Sequence, residues 1–195
     1  MKSLSLYEQL IKAEKTEQIA KNRRIEIEEK IFKADIVYVG GGNTLEMMKT
    51  WRKFGVDILL IKAMNRGIVM SGLSAGSICW FRWGNSDSKR FGKNKRAKMI
   101  RVKGLGIIPA LHCPHYDIEV HRQKSLKEMM KKNRGIAIAM DNCAALEIIG
   151  EQYRILRTKK TANVYKVFWL KGKYFKKAVP TMKTLRPLSE LLDRK

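Results

Sequence analysis

Short β-branched runs alternate with amphipathic stretches along most of this chain, and that alternation predicts an α/β fold with a mostly parallel sheet flanked by helices. Up to about Lys33 the pattern is helical and highly charged, and Ile25-Glu26-Ile27-Glu28-Glu29-Lys30-Ile31-Phe32 gathers most of its apolar residues on one stripe. Asp35-Ile36-Val37-Tyr38-Val39 reads as a buried strand closed by the sharp loop Gly40-Gly41-Gly42. Asn43 or Thr44 then caps a helix carrying Leu45, Met47, Met48 and Trp51 as far as Gly55. A second helical stretch over 56–65 leads into the strand Gly67-Ile68-Val69-Met70-Ser71, and helical character resumes over Ser77-Ile78-Cys79-Trp80-Phe81.

The polar, glycine-containing residues 83–97 suit a mobile surface loop. Gly104 to Leu111 approaches a group of histidines as a strand, a helix covers about 123–132, and Gly135 to Met140 is another buried strand. The remainder predicts antiparallel structure, with strands 144–149, 152–157, 164–170 and 173–179, the last two joined across Lys171-Gly172, and a short helix at 188–192. Residues 1–195 read as one domain whose first 24 residues form a charged helical segment, without repeats or low-complexity stretches.

Composition narrows the class. With 45% hydrophobic residues in 195, the chain can bury a core without disulfides. Its three cysteines, Cys79, Cys113 and Cys143, have neither C-x-x-C nor zinc spacing and are expected to be reduced. No run reaches bilayer length and no secretory leader is evident, so a soluble, cytoplasmic protein without membrane partners is expected. Against this stands a net charge of +23, from 41 basic and 18 acidic residues, which suits nucleic-acid binding. The excess is dispersed among apolar residues, with no arginine-rich arm or RNP-like aromatic pair, so a nucleic-acid partner is not expected.

The chemistry concentrates in Gly72-Leu73-Ser74-Ala75-Gly76, a G-x-S-x-G pattern after a strand and before a helix. Such a turn forces its serine out of the sheet, and a side chain at either glycine would crowd it. The bland alternative is a mere strand-to-helix turn. A serine nucleophile needs a base and an orienting group. Of the three histidines, His115 follows a buried strand where a loop can reach the serine, His121 begins a charged helix, and His112 is either a core-edge residue or a neighbour of the site. Asp141 ends the run 135–140 and is the candidate acid; Glu147 is a weaker one. The order Ser, His, Asp differs from that of α/β-hydrolases. His112, Cys113, His115 and Asp117 also admit a metal reading, but adjacent residues on an extended segment face opposite ways, so no metal is expected. Cys113 as nucleophile lacks the elbow. An amide of Gly41 or Gly42, paired with that of Ala75, makes a candidate oxyanion hole; as a phosphate loop, Gly40 to Asn43 matches no known spacing.

Together, Val37-Tyr38-Val39-Gly40-Gly41-Gly42-Asn43-Thr44, Gly72 to Phe81 and Cys113-Pro114-His115-Tyr116 resemble the peptidase E family of aspartyl dipeptidases and cyanophycinase-like serine peptidases. The resemblance runs from about Ile25 to the carboxyl terminus. It implies a fold like that of class I glutamine amidotransferases (flavodoxin-like), Ser74 as nucleophile, His115 as base, Asp141 as acid, and hydrolysis of dipeptides with amino-terminal aspartate without a cofactor. Family members carry a strand, a helix and a strand ahead of the segment matching Ile25, where this chain has a charged helical stretch; those strands are expected to be missing. The exposed sheet edge this implies suits a homodimer, or an inactive relative serving as a binding or assembly module. Candidate substrate contacts are Asn43, Ser86, Asp87 and Arg122.

Overall fold

The computed structural model describes residues 18, 21–92, 94–118 and 120–194. Its contacts group the chain into two compact units, one of residues up to Val37 together with Thr50–Met70, the other of Tyr38–Lys49 together with Ser71–Lys195.

In the first unit, helix α1 occupies 21–32; most of the expected helix ahead of it lies outside the described residues. Its exposed side carries Lys30–Glu26 (2.6 Å) and Lys33–Glu29 (3.6 Å) pairs one turn apart, screened by solvent and of little weight in stability. Helix α3 (Val56–Asn65) starts after Gly55, which holds φ +70°, and buries Leu59, Leu60 and Ala63. Strands β1 (Ile36–Val39) and β2 (Val69–Gly72), whose residues are shared between the two units, form a two-stranded sheet. The amide of Val69 donates to the Asp35 carbonyl and that of Leu73 to Val39, a constant offset that makes the pairing parallel. Between them, α2 (Thr44–Phe54) is capped by Asn43, whose Oδ1 accepts the Glu46 amide at 3.2 Å.

The second unit is built on a six-stranded sheet in the order β10-β9-β6-β5-β3-β4. Its members are β3 (Phe81–Ser86), β4 (Ile100–Lys103), β5 (Ile108–Cys113), β6 (Ile136–Met140), β9 (Val164–Leu170) and β10 (Lys173–Val179). Only the centre is parallel: β5 pairs parallel with β3 and β6, while β4, β9 and β10 join antiparallel. The sheet is therefore mixed rather than mostly parallel. The β9–β10 hairpin turns on Lys171 (φ 48°) and Gly172 (φ 77°), the left-handed pair that a two-residue turn requires. Continuous apolar residues mark the centre, since Ile136 to Ala139 are all buried between layers. Helix α5 (Val120–Lys132) packs Leu126 and Met130 into a cluster with Leu111, Cys113, Tyr116, Ala137, Ala139 and Val167. A separate antiparallel sheet, β11-β8-β7, contains β7 (Ala144–Ile149), β8 (Gln152–Arg157) and β11 (Arg186–Pro187), followed by α6 (Leu188–Leu192).

One expectation fails here. Helix α4 is a single turn, Ala75–Ile78, and the residues after it form β3 rather than a helix and a mobile loop. Gly84 lets β3 lie against Ile78, where a Cβ would come within 2.1 Å of Cγ2. Asn85 and Ser86 are fully buried; Asn85 Nδ2 donates to Ser125 and Ser86 Oγ to Thr44, while Asn85 Oδ1 has no hydrogen-bond partner among the described residues. No described helix is long and apolar enough to cross a membrane.

Candidate active site

Ser74 stands between β2 and α4 with φ 56° and ψ −114°, outside the regions an ordinary residue occupies. Both glycines of the motif are needed because the turn lies against backbone. A Cβ on Gly76 would sit 2.0 Å from the Val39 carbonyl oxygen, and one on Gly72 would sit 2.2 Å from that of Gly76. The serine carbonyl then accepts the amides of Ser77 and Ile78, both at 3.0 Å, starting α4.

The glycine loop after β1 passes beside this serine. A Cβ built on Gly41 would lie 3.4 Å from Ser74 Cβ and 3.9 Å from its Oγ. Gly42 holds φ +142°, a conformation that suits glycine. Ala75 opens α4, at a position whose amide has no carbonyl partner one turn earlier in the helix.

His115 emerges two residues past β5, itself in a left-handed conformation at φ 54°. Parallel pairing sets Cys113 opposite Ala139, so the segment after β5 meets the one after β6, and the Tyr116 amide donates to the Met140 carbonyl at 3.0 Å. His115 Nδ1 lies 2.7 Å from Asn142 Oδ1. Asp117 Oδ1 accepts both the backbone amide and Nδ2 of Asn142, at 2.9 and 3.1 Å. A carboxylate only accepts, so Asn142 turns its NH₂ to Asp117 and its oxygen to the imidazole. The imidazole therefore donates from Nδ1, so that in its neutral form the lone pair is on Nε2.

Asp141 is placed otherwise than expected. It is buried, its Oδ2 accepts the Asn163 amide at 2.9 Å, and its own amide donates to the Asn163 carbonyl. Burial pushes its carboxyl group above the ordinary range, opposed by the Asn163 amide. The expected His115–Asp141 hydrogen bond is thus replaced by His115–Asn142: the acid next in line after β6 is turned toward β9. Glu147, the weaker candidate, pairs with Arg154 across β7 and β8.

His112 is fully buried, stacked on Phe81 with ring centroids 4.6 Å apart. Nδ1 lies 3.0 Å from the Ile138 carbonyl and must donate to it, which leaves Nε2 to accept from Ser77 Oγ at 2.9 Å. The same hydroxyl lies 2.8 Å from the Ser74 carbonyl, so one proton serves two acceptors on the underside of the elbow. Desolvation lowers the His112 pKa to about 4, helped by the nearby charges of Arg122 and His115 and opposed by Ile138. Cys113 is fully buried, a poor place for a nucleophile. Among the described residues, no hydrogen bond joins Ser74 Oγ to His115.

The candidate substrate contacts are engaged in holding the loops. Asn43 Nδ2 donates to the Ser88 carbonyl at 3.2 Å, and Ser86 Oγ bonds Thr44 and Ser88 within a buried hydroxyl cluster. Arg122 is buried rather than presented to a substrate; it pairs with Asp87 at 3.4 Å and donates to the Asn85 carbonyl at 3.1 Å. Sequence reasoning missed Asn142, whose only signal was adjacency to Asp141, and weighed Asp117 only as a metal ligand beside His115.

The sequence profile described as peptidase family S51 matches residues 5–156. A Bacillus subtilis (strain 168) protein named "Uncharacterized peptidase YgaJ" is 34% identical over 139 residues, covering 70% of this chain and 57% of its own. Two solved structures share the fold at a TM-score of 0.55: one called a "Putative Peptidase E Protein from Listeria monocytogenes EGD-e" (24% identity, 69% of this chain, 65% of that one) and a peptidase from an acI-B1 Actinobacterium (18%, 83% and 63%). The chain thus spans between 57% and 65% of the length of these relatives. A G-x-S-x-G elbow on this α/β scaffold and a profile matched over most of the sequence lead to one conclusion: the chain belongs to peptidase family S51.

Proposed function

We propose that the chain is a serine peptidase that cleaves short peptides through an acyl-enzyme on Ser74. The observation carrying this reading is the strained serine, which sets its hydroxyl beside the Gly41 backbone instead of packing it into the turn. On substrate binding, His115 Nε2 takes the Ser74 proton as Oγ attacks the scissile carbonyl. Nδ1–H stays on Asn142, and Asp117 behind Asn142 offsets the imidazolium charge that develops. Amides of Ala75 and of Gly41 or Gly42 receive the oxyanion, an interaction worth about 3 kcal/mol per donor. His115 then protonates the leaving amine, and water attacks the acyl-enzyme by the reverse route. The contact between Ser74 and His115 belongs to the substrate complex, since such hydrogen bonds are commonly long in the free enzyme. Dipeptides with amino-terminal aspartate are the first substrates to try, a choice that the net charge of +23 favours. The parallel core β3-β5-β6, with the histidine segment at its carboxyl edge, supports assigning the scaffold to the glutamine amidotransferase-like class.

The test is a panel of dipeptides together with a fluorophosphonate probe. Turnover and labelling of Ser74 are expected, with Ser74→Ala slower by about 10³-fold or more. An unlabelled Ser74, with Ser74→Ala as active as the parent, contradicts the proposal.

A further inference from the structure

None of the residues of the candidate site explains where the positive charge collects. A cleft of about 780 Å³ opens between α5 and the described part of the segment 90–99, which begins within the 3₁₀ turn Ser88–Phe91. Arg90, Lys95, Arg96 and Lys98 line it from that segment, and Lys124 and Lys132 from α5. The helix presents them together because His121, Lys124, Glu128 and Lys132 recur three or four residues apart, on one stripe. Glu128 is the single carboxylate of the lining, so six permanent cations against one anion leave +5. Among the described residues none of the six forms an ion pair. Arg90 Nε donates to the Ala97 carbonyl at 2.8 Å, a neutral acceptor that leaves its charge uncompensated.

Six like charges around one concavity repel one another and focus a field that draws in a compact polyanion. The volume is that of a small-molecule site. Met99 and Met129 give the lining an apolar side, and Ser125 Oγ, which accepts Asn85 Nδ2 at 3.0 Å, keeps its own proton to donate. The forks of Arg90 and Arg96 suit phosphoryl oxygens, and a chain of three phosphates carries −3 to −4 in a body that fits. A nucleic-acid strand would want a series of stacking platforms, and the lining holds no Phe, Tyr or Trp, only the single imidazole of His121. We propose that this cleft binds a small oligophosphate, a nucleoside triphosphate or inorganic tripolyphosphate, at a site separate from Ser74.

Calorimetric titration of the full chain with ATP and with tripolyphosphate, each with EDTA at near-physiological salt, tests it. Saturable one-to-one binding is expected. The triple variant Arg96→Gln, Lys98→Gln, Lys124→Gln is expected to bind about tenfold more weakly or worse, and the exposed triple Lys159→Gln, Lys160→Gln, Lys183→Gln, beside the separate three-stranded sheet, to stay within about twofold. Should the first triple fail to fold, single Lys98→Gln and Lys124→Gln each carry the test, with losses of about threefold. Tighter binding of ATP than of tripolyphosphate identifies the nucleotide as the source, and equal binding the phosphate chain alone; both support the site. Absence of saturable binding, equal losses in the two triples, citrate binding as tightly as tripolyphosphate, or RNA binding that ATP does not displace would each overturn it.

Discussion

The two halves of the candidate site are held by different physics. The Ser74 elbow is fixed by shape: Gly72 and Gly76 lie against backbone with no room for a methyl group, and the serine is bent into a conformation that only such crowding sustains. His115 is fixed by polarity, through Asn142 and Asp117, residues 27 and 25 positions away from their partners. The first arrangement breaks when an atom is added, the second when one is removed.

Adding one methyl group is the most severe way to sharpen that contrast. Gly76→Ala must push the end of β1 away and is expected to cost about 3 kcal/mol or more, read as a large fall in melting temperature with loss of Ser74 labelling. An unchanged melting curve would show that the elbow does not depend on that contact. On the histidine side, Asn142→Ala frees the imidazole to turn or change tautomer, and kcat/KM for a cleaved dipeptide should fall about 10²- to 10³-fold with little change in stability.

The elbow also has a polar tie, through Ser77 to His112. The His112 ring takes up a proton near its ordinary 6.5 in the unfolded chain but only near 4 when folded. Between these values the unfolded chain binds more protons, so this contribution is full above pH 6.5 and is lost as pH falls toward 4. At about 1.4 kcal/mol for each tenfold change in proton affinity, it is on the order of 3 kcal/mol. Chemical denaturation between pH 4 and 7 should show this decline in the parent and a flatter profile in His112→Gln; identical slopes would remove His112 as its source.

Smaller effects separate Asp117 from Asp141. Asp117→Ala leaves Asn142 free to flip and should lower kcat/KM about tenfold, with the pH profile of kcat/KM displaced as well. Asp141→Asn keeps an oxygen for the Asn163 amide and should leave activity within about threefold. Reversal of that order would return the acid's role to Asp141.

The same contrast explains what the sequence revealed. An elbow made by local crowding writes its requirement into five consecutive residues, so the turn at Ser74, the glycine loop and the presence of a strand before it were legible, although β1 leaves Ile36 and Tyr38 exposed where a buried strand was expected. The hairpin at Lys171-Gly172 was legible for the same reason, because two adjacent residues carry its geometry. The partner of His115 was not. Asp141 and Asn142 are neighbours with the same register after β6, and only the positions of Asn163 and Asp117 decide which of them meets the ring. Strand β3 was hidden likewise, since Gly84, Asn85 and Ser86 look like a loop until Ile78, Ser125 and Thr44 are brought against them.

The central claim is that Ser74 is a nucleophile whose base is held by Asn142. Rates of Ser74 labelling by a fluorophosphonate in the parent, Asn142→Ala and Asp141→Asn test it most directly. The parent and Asp141→Asn are expected to label at similar rates and Asn142→Ala about 10²-fold more slowly. Slow labelling of Asp141→Asn alongside an unaffected Asn142→Ala, or an unreactive Ser74 in the parent, would contradict it.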